Sequence, residues 1–346
     1  MGPVAQSEFL CPSCGGQCVY APRHKALTCQ SCGASHEIKV DPDADPAREL
    51  HYHPDQAHTE QPQITADQAH QCQTCGGEVI FAGPALTGTC PYCEGPLVLT
   101  GPEESYQTLG LIPFEVPDED AQNRAVDWVR RRWAAPNALT GEVAKARVAG
   151  IYVPSWTFDS AEAVNYLVKY RVKQGKNWVT RTFRSSMKTA FDDLLVPASP
   201  HVTPLIRDGI LHDFDPHSLK PYEPAFLAGF PAERHHQSVT AGLEANAADK
   251  DLLLRNRIRR HSGKSRITSV TYKTDTTGIR YRRILLPVWI LHYAWGEETK
   301  KVVVCGLRGR TFGERPFSLW KLFGLSSVLS AAVILVGWLW GVAGFL

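Results

Sequence analysis

The stretch CPSCGGQCVYAPRHKALTCQSC, residues 11–32, contains two C-x-x-C pairs, Cys11 with Cys14 and Cys29 with Cys32. Fourteen residues separate the pairs, which is enough for a β-hairpin, and GQCVYAPRHKALTC has the pattern strand, proline-containing turn, strand. Two facing C-x-x-C turns place four thiolates around one tetrahedral metal ion. The spacing therefore predicts a zinc ribbon, which we assign to residues 1–39.

The arrangement returns sixty-one residues later as CQTCGGEVIFAGPALTGTCPYC, residues 72–93, with the same gap between the pairs. We predict a second ribbon over residues 71–104. The eight predicted zinc ligands are Cys11, Cys14, Cys29, Cys32, Cys72, Cys75, Cys90 and Cys93.

The zinc ions are expected to be structural. Four cysteine ligands leave no coordination position open for water, so we predict two Zn²⁺ ions without a catalytic role. The start of the chain, MGPVAQSEFLCPSC, has neither the basic nor the apolar region of a secretory signal, so thiols in reducing cytosol are expected. A redox dithiol is the alternative interpretation of each pair. His24 is expected to be a surface residue.

Residues 40–70 have the polar, acidic, proline-punctuated composition of a linker. We predict that this linker is flexible and tethers the first ribbon loosely. His51, His53 and His58 are expected to be solvated, with weak metal binding as the alternative. Residues 1–100 carry four Lys/Arg against eleven Asp/Glu, so the ribbons are poor candidates for phosphate binding and better candidates for protein docking.

The far end of the chain is strongly apolar. The stretch LFGLSSVLSAAVILVGWLWGVAGFL after Lys321 carries no charge and is long enough to cross a bilayer as a helix. We assign residues 317–346 to a transmembrane anchor. The apolar stretch is flanked on its N-terminal side by the basic residues Arg308, Arg310, Arg315 and Lys321. Because basic residues stay on the cytoplasmic side, we expect a single-pass, tail-anchored protein in the inner (cytoplasmic) membrane, with its bulk in the cytosol.

Residues 105–316 are predicted to form an α+β domain. Apolar spacing and end signals predict helices over 118–134 and 238–260, the second ending at Gly263. Runs rich in β-branched and aromatic residues predict strands over 162–173, 177–187, 267–274, 279–295 and 299–306.

This domain contains a candidate internal duplication. LIPFE (111–115) matches LKPYE (219–223), and each motif precedes a helix. Each helix is followed by a strand containing P-x-W, IYVPSWTF with Trp156 and ILLPVWIL with Trp289. We interpret the domain as two related halves, with chance similarity as the alternative. The tryptophans are expected to pack in the core.

Enzyme motifs are missing from the sequence. The candidate phosphate loop at Gly263-Lys264-Ser265 lacks the required first glycine and follows a helix. Asp192, Asp193 and residues 212–215 could supply acid–base groups, although carboxylates in loops are usually solvated. We expect no enzyme and no small-molecule substrate.

A basic cluster is predicted at the end of the second helix. Three interpretations remain open: a solvated helix end favoured by the macrodipole, attraction to anionic lipid headgroups, and nucleic-acid binding. The candidate patch comprises Arg255, Arg257, Arg259, Arg260, Lys264 and Arg266, and Arg280, Arg282 and Arg283 follow it.

The segment 286–318 contains a distinctive pattern, formed by Leu286, Pro287, Val288, Trp289, Gly306, Gly309, Gly313, Pro316 and Ser318. This pattern resembles that of a family of bacterial membrane-anchored zinc-ribbon proteins, from which Cys305, Leu307 and Arg308 depart. The similarity covers nearly the whole chain from residue 70 onward. GIYVPSWTFD (150–159) and PAFLAGFPAE (224–233) are also similar to the family. Its members are often labelled primosomal helicase-like or TFIIB-type zinc ribbon proteins and are commonly encoded beside SPFH (flotillin-like) proteins.

The resemblance implies a non-catalytic membrane protein that acts with SPFH proteins. Together with the residue patterns, it leads us to expect a cytosol-facing, tail-anchored adaptor that docks partner proteins at the membrane. The alternative is a membrane-associated nucleic-acid-binding protein linked to replication or transcription.

Overall fold

The structure is a computed structural model with a mixed α+β fold, which confirms the predicted class, and its described residues contain five α-helices. The described residues are 9–41, 43–46, 48–54, 62–64, 69–82, 88–100, 104–211 and 214–343.

The first ribbon is a three-stranded antiparallel sheet. Its strands are β1 (Cys18–Ala21), β2 (Ala26–Cys29) and β3 (Ser35–His36). Cys18 pairs with Cys29 across the first hairpin, as the strand–turn–strand pattern predicted.

Short strands follow in the segment up to the body. They are β4 (Leu50–His51), β5 (Gln63–Ile64), the second-ribbon strands β6 (Ala69–Cys72), β7 (Glu78–Phe81) and β8 (Leu97–Leu99), and β9 (Glu104–Ser105). In this ribbon β6 is central, between β7 and β8. The second strand of the predicted hairpin falls partly on 83–87, outside the described residues.

The body begins with β10 (Gly110–Leu111) and contains most of the regular structure. Its remaining elements are α1 (Asp118–Arg130), α2 (Leu139–Ala144), β11 (Arg147–Gln174), β12 (Asn177–Pro197), α3 (Pro204–Leu211), β13 (Lys220–Pro221), β14 (Pro231–Ala232), α4 (Val239–Ser262), β15 (Ile267–Trp295), β16 (Glu298–Cys305), β17 (Thr311–Gly313) and α5 (Leu319–Ala343). Two 3₁₀ turns cover Pro216–Ser218 and Pro224–Leu227.

The long strands are longer than predicted. The segments 267–274 and 279–295, predicted as separate strands, form one strand, β15. Gly278, at a positive φ, lies at an irregularity in the register with β11, and the strand continues through it. β11 contains 28 residues, about 95 Å at 3.4 Å per residue. β11 and β15 pair side by side, with β12 outside β11 and β16 outside β15.

Residues 161–174 of β11 and 267–277 of β15, together with β12, form a three-stranded extension that we call the arm. Helix α4 covers one face of this arm. Leu254 and Ile258 of the helix share an apolar cluster with Val164, Val168 and Val270 of the strands. The other face of the arm is exposed, since Ala163, Asn165 and Lys169 alternate with the buried residues of β11.

Both predicted helices are present. Ser238 caps α4 through a hydrogen bond from the Ala241 N–H, and Gly263 ends the helix in the left-handed conformation. Helix α1 begins at Asp118 as predicted and ends at Arg130, four residues earlier than the pattern indicated.

The two copies of the candidate duplication meet in the central sheet. β10 of the first copy pairs antiparallel with β13 of the second. The two P-x-W strands, β11 and β15, are also antiparallel neighbours. Trp156 and Trp289 are buried, as expected.

The first ribbon is packed against the body, whereas the flexibility of the linker over residues 40–70 stays a prediction. Leu50 and His51 pair with β15 opposite Tyr281 and Arg280. Ribbon residues Tyr20, Leu27 and Ile38 pack into the main apolar cluster, and the Tyr20 hydroxyl donates to the Phe114 carbonyl. These contacts bury apolar surface that the acidic composition did not reveal.

Candidate metal centres and the cleft between them

The first cysteine cluster has the dimensions of a tetrahedral thiolate site. The Sγ atoms of Cys11 and Cys32 are 3.7 Å apart, and those of Cys14 and Cys29 are 3.5 Å apart. All four sulfur atoms lie within 4.8 Å of one another. A metal with Zn–S bonds of about 2.3 Å requires sulfur–sulfur edges of about 3.8 Å. The cluster therefore fits one metal ion without rearrangement.

The second cluster has the same geometry in a more enclosed position. Cys72 and Cys93 are separated by 3.5 Å between sulfur atoms, and Cys75 and Cys90 by 3.8 Å. Tyr92, which lies in the turn between Cys90 and Cys93, is buried, and its hydroxyl donates to Glu233 at 2.5 Å. Because Cys14 and Cys32 are exposed whereas Cys75 and Cys93 are half-buried, the first site is more open to solvent.

The structure brings all eight predicted ligands together in the two predicted groups of four. Tetrahedral sets of four thiolates suit Zn²⁺ or iron. Each of the two clusters could therefore bind one metal ion.

The first cluster has two further donor groups that the spacing argument missed. His36 Nε2 lies 3.3 Å from Cys11 Sγ, and this hydrogen bond lowers the pKa of Cys11 to about 5. The buried Cys18 lies beside the same sulfur. The second ribbon has Val79 and Leu97 at the corresponding positions, four residues after each C-x-x-C pair. A comparison of the two repeats at these positions would have shown the difference.

A cleft of about 560 Å³ separates the two ribbons. Ribbon 1 contributes residues 20–24 and Thr28, and ribbon 2 contributes Phe81, Thr89 and Pro91. The start of α1 and the first residues of β11 complete the walls. Arg23 spans from the first ribbon to α1, where it pairs with Glu119 at 2.7 Å. Both ribbons thus border one site on the body.

The predicted basic patch is divided by its contacts. Arg255 binds Asp251 and the Val270 carbonyl, each at 2.7 Å. Arg257 donates to the Ala190 carbonyl at 2.6 Å and stacks on Phe191. These two side chains hold α4 against the arm.

The remaining members of the predicted patch lie nearer the end of the arm. Lys264 lies over Phe183, and Arg266 lies over Trp178 with 4.0 Å between guanidinium and ring centroid. Arg259 and Arg260 are exposed on α4.

The arm adds a basic surface that the sequence analysis did not identify. Residues 163–191 contain no Asp or Glu. Their basic residues are Lys169, Arg171, Lys173, Lys176, Arg181, Arg184 and Lys188. The signal was present as a charge run, but it became a surface only when β11 and β12 paired.

Of the acid–base candidates, Asp193 and Asp215 make contacts within the protein, and Asp192 is exposed. Asp193 binds Arg282, beside Glu49 and Asp159. Asp215 accepts from the His217 N–H and pairs with Arg308. His212 and Asp213 lie outside the described residues, and so does His58. The rings of the exposed His51 and His53 lie 6.3 Å apart.

A group of buried ionisable residues, which no local sequence pattern indicates, lies near the second ribbon. Burial raises the pKa of Glu233 to about 7, although hydrogen bonds from Ser199 and Tyr92 oppose the shift. Burial lowers the pKa of His235 to about 3. The Arg283 guanidinium lies over the rings of Tyr106 and Trp156. These residues join β14 and the second ribbon to the central sheet.

Helix α5 is long and apolar enough to cross a membrane over Leu319–Trp340, and none of this span is buried against the protein. Its first turn is held by the body. The Lys321 ammonium donates to the Ala135 carbonyl and to Asn137 Oδ1, each at 2.7 Å. The apolar helix is therefore attached at one end and exposed along the rest.

The chain is similar to the uncharacterized protein YdjG of Bacillus subtilis (strain 168), with 23% identity over 351 residues that cover 95% of each chain. No protein-family model and no solved structure matches the chain.

Proposed function

We propose that the protein is a non-catalytic, zinc-containing adaptor that is anchored in the cytoplasmic membrane and docks partner proteins on its cytosolic side. The observation that carries the proposal is the unburied apolar helix α5, joined to a body on which the two cysteine-containing ribbons border a single cleft. The family resemblance suggests SPFH (flotillin-like) proteins as the partner class.

Zinc in this proposal has a structural role. Each cluster offers four thiolates to one metal, so a bound Zn²⁺ has no position left for substrate. The residues that would hold the two ions are the eight cysteines predicted from the spacing. Their closure fixes the turns that carry Tyr92 and the hairpin that carries Tyr20, both of which contact the body.

The orientation follows from charge. Arg308, Arg310 and Arg315 lie in the segment that leads into α5, and Lys321 lies in the first turn of the helix. Positively charged segments stay on the cytoplasmic side of the membrane. The ribbons and the cleft are then in the cytosol, where partner proteins are available.

Docking in this proposal uses one rigid surface instead of two independent heads. Lys25 of ribbon 1 pairs with Glu115 at 2.7 Å, and Tyr92 of ribbon 2 binds Glu233. Because both ribbons are fixed to the body, a partner meets a preformed site and little conformational entropy is lost in assembling it.

The membrane part is tested by alkaline carbonate extraction of native membranes. The full-length protein should remain in the pellet, whereas Leu329→Asp combined with Val333→Asp should release it, because a charged residue at the centre of a span costs about 2.5–3.5 kcal/mol. Leu252→Asp, on the exposed side of α4, is the matched control and should stay in the pellet. A wild-type protein in the supernatant would refute the anchor.

The partner part is tested by gentle-detergent purification from the native host, followed by identification of the proteins that copurify. Recovery of an SPFH protein with the wild type, and its loss when Cys72 and Cys75 are both replaced by serine, would support the adaptor. Recovery of replication proteins instead would favour the alternative.

The basic arm favours a second candidate, a membrane-associated nucleic-acid-binding protein. Nucleic-acid affinity depends on Lys and Arg that neutralise phosphates and therefore falls steeply with salt. This candidate predicts salt-dependent binding of DNA or RNA that is lost when Lys169, Arg171 and Arg184 are replaced by glutamate. Unchanged binding in that variant would exclude the arm as the nucleic-acid site.

A further inference from the structure

The cleft between the ribbons contains an unpaired strand edge. Residues 147–151 of β11 pair with β15 on one side, from Arg147 opposite His292 to Ile151 opposite Val288. On the other side, β14 joins β11 only at Tyr152, and β12 begins to pair only at Ser155. Within the described ranges, no strand pairs with that outer edge before Tyr152.

The direction of the backbone groups follows from the hydrogen bonds further along β11. The Tyr152 carbonyl accepts from the Glu233 N–H, and the Pro154 carbonyl accepts from the Ala198 N–H, so both point away from β15. Successive residues of a strand alternate sides, and the N–H and C=O of one residue point to the same side. The N–H and C=O groups of Val148 and Gly150 therefore face the cleft.

The cleft provides more than backbone groups. Gly150 lies against aromatic rings, since a Cβ atom at this position would lie 2.8 Å from the Phe230 ring and 2.9 Å from the Trp289 ring. The absence of a side chain keeps the edge open beside an apolar wall that contains Tyr20 and Phe230. An apolar side chain of a bound segment would find this wall next to the strand edge.

The charges around the cleft are balanced. Arg23 and Arg147 lie among its walls together with Asp118 and Glu119. A polyanion such as nucleic acid would gain little from walls that carry as many acidic groups as basic ones. A polypeptide of mixed charge, held mainly by main-chain hydrogen bonds, fits these walls better.

From this geometry we infer that the cleft binds an extended segment of a partner protein, which adds as a strand to residues 147–151 of β11 and places an apolar side chain against Phe230. The inference rests on the proposed adaptor function and deepens it by naming the mode of docking. The recessed position of the edge agrees with this role. Exposed strand edges promote aggregation, and here the edge lies between the two ribbons instead of on an open face.

The test uses the N–H of residue 148, which proline removes without disturbing the pairing with β15. Proline is tolerated in a strand where its N–H side is unpaired. Val148→Ala is the matched control, because it shortens the side chain and keeps the N–H. The probe is a displayed library of random linear peptides, selected against the full-length, zinc-loaded protein in lipid nanodiscs.

The selected peptides should bind the wild type and Val148→Ala equally and Val148→Pro about tenfold more weakly, the effect of one lost hydrogen bond. They should also slow hydrogen exchange at the amides of Val148 and Gly150. Equal binding to Val148→Pro, the absence of any selected peptide, or protection confined to other residues would overturn the inference.

A second copy of the chain is the competing occupant. If the wild type dimerises in nanodiscs and Val148→Pro is monomeric, the edge pairs with another copy and the inference is wrong. Failure of α5 to enter bilayers would refute the proposed function separately, since the same peptide selection can be run on the detergent-solubilised chain.

Discussion

Val153 lies directly opposite Leu286 in the antiparallel pair formed by β11 and β15. Each residue immediately precedes the proline of its P-x-W strand, and both are buried. Equivalent positions of two repeats pair with each other only on a two-fold axis. The same symmetry holds three residues to either side of this pair, where Gly150 lies opposite Trp289 and Trp156 lies opposite Arg283.

This register supports the interpretation of the body as two related halves. In each half, a strand with P-x-W leads into a hairpin, with turns at Gly175 and Gly296, both at positive φ. The two halves have diverged in length, since the first hairpin is extended into the arm and β16 contains only 8 residues. The divergence places the cleft at one end of β11 and the basic arm at the other.

The first prediction concerns the centre of the sheet. Leu286→Ala should lower the free energy of unfolding by about 2–5 kcal/mol, because it opens a cavity among fully packed neighbours. Val179→Ala, at the exposed tip of the arm, should change it by less than about 0.5 kcal/mol. Urea unfolding of the detergent-solubilised protein measures both. Equal effects would show that the centre of the sheet is not a packed core.

The second prediction concerns the attachment of α4 to the arm. The Glu162 carboxylate is buried and binds the Lys250 ammonium at 2.6 Å and the hydroxyls of Thr274 and Thr276. Although burial alone would raise its pKa, the contact with Lys250 and the hydroxyls lowers the pKa of Glu162 below its ordinary value.

Glu162→Ala should therefore destabilise the protein by about 3–5 kcal/mol, since it leaves Lys250 without its partner in a largely buried position. Glu244 lies exposed on α4, the helix that carries Lys250, and Glu244→Ala is the control with little expected effect on stability. Proteolysis of α4 under native conditions reports its release from the arm. Equal protease resistance in both variants would contradict the proposed role of the buried carboxylate.

The third prediction concerns the order of metal loss. Purified protein should contain two Zn²⁺ per chain, and a chelator should remove them in two phases. The faster phase belongs to the first cluster, where Cys14 and Cys32 are exposed. Cys14→Ser should abolish the fast phase, and Cys75→Ser should abolish the slow one. A single phase that both variants share would show that the difference in exposure has no consequence.

The fourth prediction concerns acid stability. His235 is buried, with Nε2 donating to the Ser155 carbonyl and Nδ1 near the Thr108 hydroxyl, and Arg283 and His236 also disfavour its protonation. Burial lowers its pKa from 6.5 to about 3. The unfolded chain therefore binds more protons than the folded one between these values, and stability falls as the pH decreases through this window.

The slope from this one residue is at most about 1.4 kcal/mol per pH unit. His235→Gln should flatten the pH dependence of unfolding between these limits, while the exposed His24→Gln should leave it unchanged. Thermal unfolding measured across the window compares the three proteins. An identical slope in His235→Gln and the wild type would contradict the burial argument.

Local signals in the sequence were sufficient for several elements. The two C-x-x-C pairs in each ribbon defined both clusters, because the turn geometry that positions two thiolates depends on neighbouring residues alone. Ser238 and Gly263 marked the ends of α4 for the same reason. The uninterrupted apolar run identified α5 by its length and composition.

Tertiary structure decided the relations between these elements. The docking of ribbon 1 depends on Tyr20 meeting Phe114, and the strand edge in the cleft depends on β14 joining β11 only from Tyr152 onward. Such contacts join residues far apart in the chain, and they arise from complementary shape and hydrogen bonding across surfaces that a linear pattern does not describe. The chain alone thus determined which pieces form, whereas packing determined that the ribbons face one another across a single cleft.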